Sequence, residues 1–147
     1  MSALACGCPG ANVRTIEKNE TEDVTYTDSR PSELRQWPTQ LHLVPPHAPY
    51  LQKAHLLIAA DCVPFAYADF HKDFIKGRVL VNACPKLDDT SPYVEKLAAI
   101  IAQNDIQSVT VTIMEVPCCR GMAMFAQQAI AQSGKDVPLE VAVIGVD

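Results

Sequence analysis

The sequence predicts an α/β fold: a small three-layer domain around a mostly parallel sheet of about four strands, preceded by an extended N-terminal arm. Three observations predict it. Four short apolar runs rich in β-formers recur after residue 54. The stretches between them carry helical spacing. Cap and turn residues fall where these segments should meet. Apolar runs alternating with helices are the pattern of βαβ units, whose crossovers are right-handed.

Taken in order, residues 56–60 (Leu56, Leu57, Ile58, Ala59, Ala60) form the first strand candidate. Residues 65–75 follow with helical spacing through Phe65, Ala68, Phe70 and Phe74, and Gly77 stops that helix. Residues 78–83 are the second strand. Ser91 is the expected cap of the next helix, with Pro92 in its first turn and Asn104 at its end. Residues 108–116, rich in Val, Thr and Ile, make the third strand. A helix over 121–132 closes at Ser133 and Gly134, and residues 139–146 supply the fourth strand. The whole is Rossmann-like in plan. Upstream, residues 17–31 are polar and acidic and read as a linker. The prolines after Trp37 forbid a helix and suggest an extended stretch laid on the core. The expected division is an arm and linker over 1–37 and an α/β cysteine-cluster domain over 38–147.

A chain of 147 residues is sized for one domain and needs no disulfides to bury a core. Its formal charge of −5 disfavours nucleic acid and anionic membrane surfaces as partners. No apolar run approaches the ~20 residues of a membrane span. The first residues lack the basic and apolar regions of a signal peptide, so a cytoplasmic protein is expected. In a reducing compartment, six cysteines point to metal ligation or redox chemistry rather than disulfides.

Four of those cysteines share one place in the predicted fold. Cys62 follows the first strand, Cys84 ends the second, and Cys118 and Cys119 follow the third. All four therefore belong to the carboxyl edge of the sheet, where open parallel sheets bind ligands. Strands lie ~4.8 Å apart, so neighbouring loops can bring thiolates to one compact centre. Pro64, Pro85 and Pro117 stiffen the three turns. Thiolates favour iron–sulfur clusters or zinc. A single cysteine is often only a small buried hydrophobe. Four at one edge, with an adjacent pair among them, favour a site.

Cys6 and Cys8 flank Gly7 ahead of Pro9 and Gly10, a compact turn that can also ligate metal. Asp61 and Lys86 can tune the charge of a centre, and Arg120 can donate to sulfur or to an anion. His71 is expected on a solvated face, and His42, His47 and His55 are scattered. Met122, Met124 and Phe125 are expected in the core.

Several stretches resemble a family of ferredoxin-like iron–sulfur proteins of anaerobic bacteria and archaea. They are RPSELRQWPTQLHLVPPHAPY over 30–50, AADCVPFAY over 59–67, CPKLDD over 84–89, MEVPCC over 114–119 and CPG over 8–10. Members usually carry an N-terminal two-cluster ferredoxin domain with CxxCxxCxxxCP motifs, and those motifs are not in this sequence. The resemblance thus covers the C-terminal module, onto which Cys8, Cys62, Cys84, Cys118 and Cys119 map. It implies a cluster of 4Fe-4S type and electron transfer to a redox partner protein. Cys84 followed at a distance by Cys118 and Cys119 is also similar to the first half of the cysteine-rich CCG motif of heterodisulfide reductase, with Arg120 standing before Gly121.

The expected function is an iron–sulfur redox or electron-transfer module held by Cys62, Cys84, Cys118 and Cys119, with Cys6 and Cys8 as further cofactor-binding candidates. A homodimer is compatible with it. The alternatives are a thiol enzyme, with one of the paired cysteines activated by Arg120 and a helix N-terminus, and a structural zinc module that mediates protein contacts.

Overall fold

The structure, a computed structural model, describes residues 15–16 and 29–146. Four strands, β1 (His55–Ala60), β2 (Val79–Ala83), β3 (Ser108–Met114) and β4 (Leu139–Ile144), form one sheet in the order β2-β1-β3-β4. Every pair is parallel, with Ile58 level with Val81 on one side and with Val111 on the other. β1 and β3 are buried almost throughout, which is why they read as unbroken apolar runs rather than alternating ones.

Three helices connect the strands: α1 (Val63–Ala66), α2 (Tyr93–Gln103) and α3 (Arg120–Ser133). α2 buries Leu97, Ile100 and Ile101, and α3 buries Met122, Ala126 and Ala129. The chain moves from β1 to β2 in one direction and back across β1 to β3 in the other. Right-handed crossovers therefore set the β1–β2 connection on one face and α2 with α3 on the opposite face. α3 stops at Gly134, which takes the left-handed conformation (φ 73°) and whose N–H bonds the Ala131 carbonyl.

Three local expectations are corrected. The helix expected over 65–75 is broken: α1 lasts four residues, Tyr67 is extended, and a π-helical turn spans His71–Ile75. The Tyr67 hydroxyl donates to Asp73 at 2.6 Å while its ring packs edge-on against Phe74. That side-chain packing holds the break against simple helical spacing. Ser91 does not cap α2. Its N–H and hydroxyl both donate to Asp89 Oδ1, at 3.1 and 2.7 Å, and the helix begins two residues later. Met124, expected in the core, is exposed.

Residues upstream of β1 belong to the same packing. Leu41, Val44 and Leu51 are fully buried. Gln40 pairs in parallel with Asn82, whose N–H and carbonyl bond the Thr39 carbonyl and the Leu41 N–H at 2.9 Å each. The Gln36 amide donates to the Leu80 carbonyl at 2.7 Å, so this stretch occupies the outer side of β2. Below it, buried Asn104 ties α2 to the incoming chain. Its side-chain amide donates to the carbonyls of Pro46 and Ile100 at 2.7 and 2.9 Å.

Candidate functional site

The strand order has one reversal point. From β1 the chain leaves toward β2, and from β3 it leaves toward β4, so the loops after β1 and β3 part company. In open parallel sheets such a reversal point, at the carboxyl ends of the strands, is the usual ligand position. The loop after β1 carries Asp61 and Cys62, and the loop after β3 carries a 3-10 turn, Pro117–Cys119, leading into α3. Cys84 lies one residue beyond β2, beside β1.

Contacts draw these loops together. The Asp61 N–H donates to the Ala83 carbonyl at 3.1 Å, so the residues before Cys62 and before Cys84 are joined directly. Across the rim, a Cβ built on Gly121 would stand 3.6 Å from the Pro85 side chain. The start of α3 therefore rests on the turn that follows Cys84. Cys62 is exposed, Cys84 is half-buried and Cys119 is buried. Cys118 is the middle residue of its turn. Cys6 and Cys8 lie outside the described residues.

The Cys62 carbonyl accepts the N–H groups of Phe65 and Ala66, and the Cys119 N–H donates to the Val116 carbonyl at 3.1 Å. Among the described residues, no three His, Cys, Asp or Glu side chains form a group able to hold a metal ion. The donor chemistry at the rim suits a soft metal or an iron–sulfur cluster, but the described thiols are not already drawn into a cage.

Beneath Cys84 lies a polar network that sequence reasoning missed. Asp88 Oδ2 accepts the Cys84 N–H at 2.9 Å, the Gln40 amide at 3.1 Å and the Tyr93 hydroxyl. In return the Asp88 N–H donates to the Cys84 carbonyl at 2.9 Å. Burial works to raise the Asp88 carboxyl pKa. The hydrogen bonds from Cys84, Tyr93 and Gln40, with His42 nearby, outweigh burial and hold it below its usual range. Burial, then the bond to Asp88, then the charges of Asp88, Asp61 and Cys84, push the Tyr93 hydroxyl far above the usual range. It stays a proton donor at any ordinary pH.

Tyr93 is itself buried, with its ring 5.0 Å from His42 and 5.6 Å, edge-on, from Phe125. On the other side, the Asn82 amide donates to Asp61 Oδ1 at 2.8 Å. Asp61, expected to tune the charge of a centre, and His42, expected among scattered histidines, thus both lie at this network. Its only sequence trace is the run of two aspartates closing CPKLDD. His71 sits apart on the surface, where its Nδ1 accepts the Glu33 N–H at 3.1 Å.

Each cysteine-bearing loop is also followed within a few residues by a large apolar side chain in solvent. Phe65, three residues after Cys62, is 92% exposed, and Leu87, three after Cys84, is 84% exposed. Met124, on the first turns of α3, is 58% exposed.

Comparison with known proteins bears on the fold. Residues 48–147 match a family described as a Rossmann-like domain. An uncharacterized protein of the archaeon Archaeoglobus fulgidus is 33% identical over 114 residues, spanning 78% of this chain and 80% of the relative. No solved structure matches the chain. Among the described residues no helix is long and apolar enough to cross a membrane. With the parallel sheet, the reversal point and a family match over more than half its length, this chain belongs to the Rossmann-like domain family.

Proposed function

We propose that the rim is a thiolate site for an iron–sulfur cluster of 4Fe-4S type, and that the protein is a redox or electron-transfer module. The observation that carries this reading is that three successive strand-to-helix loops each bring cysteine to the same edge of the sheet, as Cys62, Cys84 and the Cys118–Cys119 pair. The resemblance of the segments around them to ferredoxin-like iron–sulfur proteins supports iron over zinc. Those four residues would hold the cluster, with Cys6 and Cys8 as further donors. When bound, the cluster would supply one-electron redox chemistry.

The chain's own groups then have defined tasks. The proline-stiffened turns limit the positions each sulfur can take. The Asp88 carboxylate and the Tyr93 hydroxyl fix the backbone at Cys84. Burial limits water at Cys84 and Cys119 while Cys62 stays exposed, and a drier surrounding shifts reduction potential. Phe65, Leu87 and Met124 give the rim an apolar face for a redox partner protein.

Anaerobic purification followed by iron, sulfide and zinc analysis tests the proposal. Brown protein with iron and acid-labile sulfide in equal amounts, bleaching on reduction, is the expected result. Changing any of Cys62, Cys84, Cys118 or Cys119 to Ser should lower the iron content. Colourless protein with stoichiometric zinc would replace this reading with a structural zinc module. Metal-free protein carrying one rapidly alkylated thiol would replace it with thiol chemistry.

A further inference from the structure

We propose that Asp88 is the positioning residue of Cys84: its carboxylate and its N–H close the 84–88 loop from both ends and so aim the thiol at the rim. The inference deepens the reading of the rim as a thiolate site, and rests on it for its purpose. Its own observations are geometric.

Four restraints meet on one residue. The Cys84 N–H donates to Asp88 Oδ2 at 2.9 Å, and the Cys84 carbonyl accepts the Asp88 N–H at 2.9 Å. The following residue, Pro85, disfavours the helical region for Cys84. Pro85 in turn lies against the start of α3 at Gly121. With both backbone polar groups committed and the backbone angles narrowed, rotation of the Cys84 side chain is the main freedom left. A second layer holds Asp88 itself. The Tyr93 hydroxyl comes from a side chain buried between His42 and Phe125, and the Gln40 amide comes from the stretch lining β2.

One acceptor oxygen serving three donors is the work of a carboxylate. An amide at position 88 keeps an oxygen for the Cys84 N–H but loses the charge. A methyl group keeps neither. These two substitutions therefore separate a positional role from a purely electrostatic one.

The test is the alkylation rate of Cys84 by iodoacetamide in metal-free full-length protein, read by peptide mass spectrometry with Cys62 as internal reference. Asp88→Ala is expected to speed Cys84 about tenfold, the equivalent of one lost charge-assisted hydrogen bond. Cys62 should stay within about twofold, and Asp88→Asn should return Cys84 to within about threefold of the unsubstituted protein. Tyr93→Phe, which keeps the ring contacts and removes only the hydroxyl, should move Cys84 in the same direction by a smaller factor.

A Cys84 rate unchanged in a folded Asp88→Ala protein overturns the inference. So does an Asp88→Asn protein as fast as Asp88→Ala, because the effect would then be charge alone. If Asp88→Ala does not fold, Tyr93→Phe and Asp88→Asn decide: an unchanged Cys84 rate in Tyr93→Phe overturns the inference, and a faster one beside a near-normal Asp88→Asn upholds it. If the unsubstituted protein takes up neither iron nor sulfide while Cys84 follows the expected pattern, the cluster reading fails and the positioning role stands.

Discussion

At the scale of single residues, the backbone of Cys84 at the rim is held by a group that is not cysteine. Asp88 has a carboxyl held below its ordinary range, so it binds its proton less readily in the folded chain than in the unfolded one. Stability linked to such a group is complete above the ordinary carboxylate pKa and is lost as pH falls through the lowered folded value. Asp88→Asn should therefore lower the urea midpoint at about pH 7, and the penalty should shrink as pH falls below the ordinary carboxylate range. A penalty that stays the same as pH falls would mean that the charge of Asp88 contributes nothing. The four rim cysteines were legible in the sequence because each follows a recognisable strand. The aspartate was not, because its partners Gln40, Cys84 and Tyr93 come from three different segments.

At the scale of elements, the strands were the most legible part. Burial on both faces turns β1 and β3 into continuous apolar runs, and parallel sheets are built from such runs. The 65–75 region was not legible in the same way. Helical spacing of Phe70 and Phe74 is real, but the two rings pack together with Tyr67 in an aromatic cluster that does not need an unbroken helix. Caps divided similarly. Ser91 has the right chemistry for a cap, and Asp89 captures it first. Gly134 behaves as its position suggests, in the left-handed conformation, with nothing within 4 Å of where a Cβ would stand. Gly134→Ala should consequently cost about 1 kcal/mol through backbone conformation alone. Thermal or urea unfolding would measure it, and no change would show that α3 can end without that conformation.

For the whole molecule, the unit that carries the rim reaches further upstream than the family match, which begins at residue 48. Leu41 and Val44 are fully buried, while their neighbour Leu43 is 66% exposed. Leu41→Ala should cost about 2–5 kcal/mol by urea denaturation, and Leu43→Ala should be close to neutral. Equal effects would contradict the packing of this stretch on the core. The sequence showed an extended, proline-stiffened segment here, but it could not show which side of the sheet the segment would line. That side is set by three long-range hydrogen bonds, from Gln36 to Leu80 and between Asn82 and its neighbours Thr39 and Leu41.

Lining β2 in this way makes the sheet asymmetric. Its two margins differ: one is clasped by the protein's own upstream chain, and the other, β4, has no strand beyond it among the described residues and leaves Val141 and Val143 in solvent. Among the described residues, strand-to-strand association therefore has one open margin to use, that of β4. Two copies meeting there would each spend that margin, and stacking would end at a pair instead of propagating into a filament.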